Sequence, residues 1–164
     1  MSSANPRAEV RDAASKARLR LWLKLLKTSG SIEAELRRRL RDRHNTTLPR
    51  FDVMSALSRN PEGLKMSQLS QFLRVSNGNV TGIVDRLTDD GLALRVAVPG
   101  DRRAQVARLT PAGEAEFARL AAEHEAWIDE MMAGLGADDI TDMSALLDQI
   151  QPIGANQTSK DDLT

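Results

Sequence analysis

From residue 10 to 43 the chain holds no proline, and Leu19, Trp22, Leu23 and Leu26 recur at the i, i+3, i+4, i+7 spacing of one helix face. Ile32, Leu36 and Leu40 continue the stripe at four-residue steps. The spacing predicts one long helix, weakest at Gly30, where glycine costs about 1 kcal/mol relative to alanine. Thr47-Leu48-Pro49 opens a second helix, because proline's fixed φ suits a first turn, and Phe51, Met54 and Leu57 supply its buried stripe. Asn60-Pro61-Glu62-Gly63 ends it. Two short helices follow. Ser67 is expected to cap the first, with Leu69, Phe72 and Leu73 inward, and Ser76 the second, with Val80, Ile83, Val84 and Leu87 inward.

After Gly91 the period drops to two. Leu92, Leu94, Val96 and Val98 alternate with Ala93, Arg95 and Ala97; residues 99–103 turn the chain, and 104–109 return as a second strand. Thr110-Pro111 then starts a helix with the hydroxyl as N-cap, and Phe117, Leu120, Ala121, His124, Ile128, Met131 and Leu135 form its apolar seam. Gly134 and Gly136 stop it. A last helix begins at Asp138 or Asp139 and carries Ile140, Met143, Leu146, Leu147 and Ile150 on one side. Residues 151–164 are polar and without period, which predicts a disordered tail. The fold class expected is mainly α with a small β-hairpin: a winged helix-turn-helix with long N- and C-terminal dimerisation helices.

Net charge is zero, yet it is unevenly spread. Residues 1–62 carry 14 Lys/Arg against 7 Asp/Glu, residues 63–113 carry 7 against 4, and residues 114–164 carry 2 against 12. Segments of +7, +3 and −10 suit a polyanion on the first two-thirds, although pairing of basic with acidic helices is the alternative. The chain has no cysteine, which excludes disulfides, thiolate metal sites and thiol redox sensing. No apolar run is long enough for a membrane span or a secretory signal, so the expected compartment is the cytoplasm. Enzyme chemistry finds no support: the two histidines, His44 and His124, lie in different helices, and no phosphate loop or nucleophile elbow occurs. His124 sits on an apolar seam and reads as a core or interface residue. No metal or other cofactor is expected.

Two short helices joined by a tight turn and followed by a hairpin with arginines at its tip outline a helix-turn-helix with a wing, whose second helix enters the major groove. Opposite the inward stripe of that helix stand Gly78, Gly82 and Asp85, flanked by Asn77, Asn79, Thr81 and Arg86. Glycines on an outward face cost stability, and a surface approaching the backbone closely gives them a reason; a marginal helix held by tertiary packing is the other reading. Ser76, Asn77, Asn79 and Thr81 are candidates for base or backbone contact, and Arg86 for a phosphate or guanine. At the hairpin tip Asp101, Arg102 and Arg103 are candidates for the minor groove, with plain solvation as the alternative.

These residues resemble the MarR family of transcriptional regulators. The resemblance rests on Leu48-Pro49-Arg50-Phe51-Asp52-Val53, Leu69-Ser70, Val75-Ser76, Val80-Thr81, Val84-Asp85-Arg86-Leu87 and Asp90-Gly91-Leu92. Its most specific part is Asp101-Arg102-Arg103 followed by Leu109-Thr110-Pro111-Ala112-Gly113. It covers residues 18–150 and implies a homodimer with interlocked terminal helices, a recognition helix over 76–90, Arg103 in the minor groove and Asp101 as its buttress. The implied division is a flexible arm at 1–17, the domain at 18–150 with its DNA-binding core at 63–113, and the tail at 151–164. Gly82 departs from the arginine that members often carry there. The resemblance further implies a repressor on an inverted-repeat operator in double-stranded DNA.

The run from Ser76 to Gly82 and Leu48 to Asp52 also resemble regulators of aromatic-acid degradation that respond to a hydroxycinnamoyl-CoA. The effector so implied is a small aromatic acid or its CoA thioester. Trp22, Ser29, Arg50 and Met54 are the candidates for lining its pocket between the first two helices, against a structural role for each. The alternative function is a winged-helix protein-interaction module without ligand response.

Overall fold

The computed structural model describes residues 6–73, 76–98 and 100–150, and the side chains of all of these except 6–12, 77 and 101–103. The order is α1 (Pro6–His44), α2 (Leu48–Ser58), α3 (Met66–Leu73), α4 (Asn77–Asp89), β1 (Ala93–Val98), β2 (Asp101–Leu109), α5 (Pro111–Met132) and α6 (Ala137–Asp148). The chain forms two compact units, one up to Trp127 and one from Ile128 onward.

The first helix runs through Gly30 without a break and begins at Pro6, within the segment expected as a flexible arm. It ends where Asn45 takes a left-handed φ of 48°, which lets Thr46 donate its N–H to the Leu40 carbonyl at 3.3 Å. Thr47 then caps α2, its hydroxyl accepting from the Arg50 N–H. The core of the first unit gathers Leu36 and Leu40 of α1, Val53, Met54 and Leu57 of α2, Leu69 of α3, and Val80, Val84 and Leu87 of α4. Each such side chain contributes about 1.5–3 kcal/mol by leaving water. From α5 this core receives Leu120 and Trp127, with His124 stacked on Phe51 at 4.6 Å. The end of α1 is held against α5 by His44, whose Nδ1 accepts from Arg119 at 3.0 Å while its Nε2 lies 2.9 Å from Glu123 Oε2. Trp127 packs on the same histidine, with the Arg43 guanidinium 5.7 Å above its ring.

The hairpin is antiparallel, with Ala93 opposite Leu109 and Ala97 opposite Gln105; the register then slips so that Val98 faces Asp101. Leu64 adds a one-residue bridge to Ala107, exchanging both backbone bonds at 3.1 and 2.8 Å. Gly113 seals the wing's base. A Cβ there would lie 1.9 Å from the Leu92 carbonyl oxygen, so only glycine permits α5 to start this close. Thr110 completes the joint: its hydroxyl donates to Gly91 O at 2.7 Å and accepts from the Gly113 N–H at 3.0 Å.

In the second unit, Asp139 accepts from the Gly136 N–H at 2.9 Å and closes the first turn of α6, which starts at Ala137. Ile140, Met143, Leu146, Leu147 and Ile150 are all exposed.

Several expectations are corrected. Ser67 lies inside α3, and the side chain that closes its first turn is Gln68, accepting from the Lys65 N–H at 2.8 Å. Phe72 is 66% exposed, because an eight-residue helix between two neighbours buries only Leu69 fully. In β1 the buried residue is Ala93, while Leu94 is exposed, since the covered side of this ribbon faces the helices through a small side chain. Asp101 to Arg103 lie within β2 rather than in the turn, because β2 already begins at Asp101, directly after Gly100 at φ 85°. The α5 seam includes Trp127, seven residues beyond Leu120 on the same face. The expected tail at 151–164 falls outside the described residues.

Candidate nucleic-acid interface

The α4 helix owes its position to its buried stripe and to caps at both ends. Ser76 caps the start, its hydroxyl accepting from the Asn79 N–H at 3.4 Å, so the first carrier of hydrogen bonds on this helix is already occupied locally. At the far end Arg50 of α2 bonds Asp90 at 2.5 Å and ties the α4 C-cap to the α2 first turn. Asp85 pairs with Arg95 of β1 at 2.6 Å, which joins the wing to the helix. With its inner face buried, α4 leaves Gly78, Asn79, Gly82, Asp85 and Arg86 exposed and Thr81 half-buried.

Neither outward glycine is required by the fold. A Cβ on Gly78 or Gly82 would meet no atom within 4 Å, whereas one on Gly113 or Gly63 would collide with backbone. Instead the two bare positions open a cleft of about 680 Å³ between α4, the end of α1 and the start of α2. Arg37, Arg41, Pro49, Asn79, Ile83 and Arg86 are among its lining residues. Ile83, expected inward, is half-buried at this wall.

The basic cluster at the end of α1 is sorted by its partners. Arg38 and Arg39 both bond Glu35, and their guanidinium groups, Arg38 first, hold its carboxyl down at about 2. Arg37 is paired with Glu33, and Arg43 lies over Trp127. Arg41 and Arg86 have no ion-pair partner among the described residues, and both face the cleft. The surface beside α4 is therefore short of side-chain bulk and supplied with uncompensated positive charge, the two properties an approaching anion requires.

Of the sequence candidates, Asn79 and Arg86 come together in this cleft, with Ser76 one turn away as the cap and Thr81 on the flank. The side chains of Asn77, Asp101, Arg102 and Arg103 lie outside the described residues. The four pocket candidates are not brought together. Met54 is sealed in the core at 1% exposure, and Arg50 is turned to Asp90. Trp22 is 56% exposed, and Ser29 is exposed with its hydroxyl bonded to Leu26 O at 3.1 Å. At 1.5 Å of rise per residue Trp22 stands roughly 21 Å along α1 from Leu36, where α1 enters the core, too far for one small pocket to hold it and Met54. Neither this cleft nor a smaller cavity of about 180 Å³ between α2 and α3, with Asp52, Ala56 and Phe72 in its lining, is lined by any of the four. The arginine run that includes Arg37 and Arg41 is visible in the sequence as a candidate phosphate partner; that these two stand as walls facing α4 is not.

Comparison with known proteins follows the same outline. A profile of the MarR family matches residues 44–104. The crystal structure of a MarR family transcriptional regulator from Silicibacter pomeroyi is 35% identical, covers 82% of this chain and 93% of that one, and superposes with a TM-score of 0.69. The HTH-type transcriptional regulator PecS of Dickeya dadantii is 29% identical over 103 residues, 62% of each chain, so the chain spans less than two-thirds of that relative's length. The homoprotocatechuate degradative operon repressor of Escherichia coli is 26% identical over 112 residues, 68% of this chain and 75% of that one.

Proposed function

The chain belongs to the MarR family of transcriptional regulators, and from that membership we propose that it is a homodimeric repressor that binds an inverted repeat in double-stranded DNA and is released by a small aromatic acid or its CoA thioester. The observation that carries the DNA reading is the outward face of α4. Two glycines stand there that the fold does not need, and Asn79 and Arg86 flank them on the open side. A helix stripped of side chains on one face lets base edges and phosphates reach its backbone, and asparagine and arginine are suited to reading them. Asn77, Asn79 and Thr81 serve in the major groove, Arg86 on a phosphate or guanine, and the Arg102 and Arg103 pair of the wing in the minor groove with Asp101 beside it.

The homodimer reading is supported by what the first unit leaves uncovered. Leu19, Trp22, Leu23 and Leu26 are each about half exposed along one face of α1, a continuous apolar stripe of the kind that marks an interface. A second copy brings two α4 helices to two half-sites, which gives the operator its two-fold symmetry.

For the effector the cleft replaces the pocket expected from the sequence. Its volume of about 680 Å³ falls in the range of small-molecule sites, and Arg41 and Arg86 offer charge to a carboxylate or phosphate. An anion seated there occupies the same arginines that face DNA. Emptying a nearly full operator requires about 5 kcal/mol of differential affinity; a free acid has few atoms to supply it, while a thioester adds the nucleotide phosphates. The aromatic class is supported by the E. coli relative, whose name refers to homoprotocatechuate degradation. The test is titration of a protein–duplex complex with p-coumaroyl-CoA, p-coumarate and CoA. Release by the thioester alone supports the full reading, release by the acid narrows it to an aromatic carboxylate, and release by none of them refutes an effector of this class.

A further inference from the structure

We propose that Arg95 serves the DNA interface through Asp85, by cancelling a carboxylate that otherwise faces the DNA backbone. This rests on the reading that α4 and the wing contact a duplex.

Asp85 stands on the outward face of α4, one turn beyond Gly82, with its side chain 55% exposed. A bare carboxylate at that place repels the phosphates that Arg86 and Arg41 attract. Arg95 comes from β1, ten residues away in sequence, and its Nη2 donates to Asp85 Oδ1 at 2.6 Å. Its own side chain is only 28% exposed, so the guanidinium is held against the protein rather than offered to solvent or to a ligand. The arginine is thus oriented at the carboxylate and not outward.

Stability does not explain the pair, because an exposed ion pair contributes little to folding. The wing's root is already tied to α4 by Leu92, which donates its N–H to the Leu87 carbonyl at 2.8 Å, and both Ala93 and Ala107 of the wing are buried, so the Arg95–Asp85 bond acts on the charge of Asp85 rather than on the placement of the two elements. The remaining acidic groups at this end are accounted for differently: Asp90 is taken up by Arg50, and Asp89 lies at the last residue of α4, beyond the N-terminal half that such helices insert into the groove.

Two roles for Arg95 give different results. If it touched a phosphate, its loss would weaken binding and lower the salt slope by about one counterion. As a partner of Asp85, its loss weakens binding with the slope unchanged, and removing the carboxylate repairs the damage. The experiment starts with a duplex selected by the wild-type protein from a random-sequence pool. Dissociation constants for that duplex are then measured across salt for wild type, Arg95→Ala, Asp85→Asn and the double variant, with thermal melting of each.

Arg95→Ala is expected to bind at least tenfold more weakly with the wild-type salt slope, Asp85→Asn to bind as well as wild type, and the double variant to return to within threefold of it. Asp85→Asn changes only an exposed side chain, so it remains informative even if Arg95→Ala melts early. Arg95→Ala binding like wild type, a fall of about one in the slope, or a double variant as weak as the single one overturns the role assigned to Arg95. A wild-type protein that selects no duplex overturns the DNA reading itself, and the role falls with it.

Discussion

Replacing Gly113 by alanine places a methyl group 1.9 Å from the Leu92 carbonyl oxygen, 2.9 Å from its carbon and 3.3 Å from Leu109 Cβ. Carbon–oxygen contacts of this kind settle at roughly 3.3 Å, so α5 and the wing's base must separate by more than 1 Å, by about 1.4 Å on these figures. The bonds at risk are those that cross the joint: Thr110 N–H to Leu92 O at 3.0 Å, and Thr110 Oγ1 to Gly91 O at 2.7 Å. At about 1 kcal/mol each these contribute about 2 kcal/mol, and the overpacking itself adds about 1–3 kcal/mol. Alanine returns at most about 1 kcal/mol of helix propensity. The net expectation is a loss of about 2–4 kcal/mol, or roughly 4–16 °C in melting temperature for a chain of this size. Thermal unfolding followed by circular dichroism, at one protomer concentration because a dimer's melting depends on it, measures the change. A Gly113→Ala protein that melts at or above the wild-type temperature refutes the close approach at the wing's base.

Gly82→Ala has the opposite sign for folding: with open space around its Cβ it should gain up to about 1 kcal/mol, while duplex affinity falls at least tenfold; melting and fluorescence anisotropy on the same samples check both. His124, desolvated against Phe51, has its pKa lowered below 6.5, so the unfolded chain takes up a proton that the native one refuses. Its stabilising contribution is complete above about pH 6.5 and is lost as pH falls toward and below the native value; the slope of melting temperature between about pH 7.5 and 5.5 should flatten in His124→Gln. Trp22→Glu together with Leu26→Glu should shift the protein toward monomer in light scattering, whereas an unchanged dimer removes α1 from the interface.

The sequence was most legible where one residue acts locally. Ser76 and Thr110 are N-caps as expected, because a hydroxyl before a helix start has neighbouring N–H groups to accept from whatever surrounds it. Hydrophobicity alone was a poorer guide to burial. Phe72 and Leu94 are exposed while Trp127 is buried, since which face of a short element is covered depends on neighbours distant in sequence. The pocket candidates failed for the same reason: Trp22 is half exposed on α1 about four turns before Leu36, the first residue of that helix to share the core with Met54. The cleft was half visible, as two outward glycines and an arginine run, but nothing in either segment states that they face each other. Gly113 was legible only as part of a family motif, and its collision with Leu92 supplies the reason.

The central claim is that the outward face of α4 and the wing bind duplex DNA. It is tested most directly by selecting duplexes from a random pool with the purified protein and measuring the affinity of the winners from about 50 to 200 mM salt, a range spanning physiological screening. The account predicts an inverted repeat with half-site centres about one helical turn apart and affinity that falls steeply as salt rises. Absence of any enriched sequence, or a partner bound with no dependence on salt, contradicts it and leaves a protein-interaction module in its place.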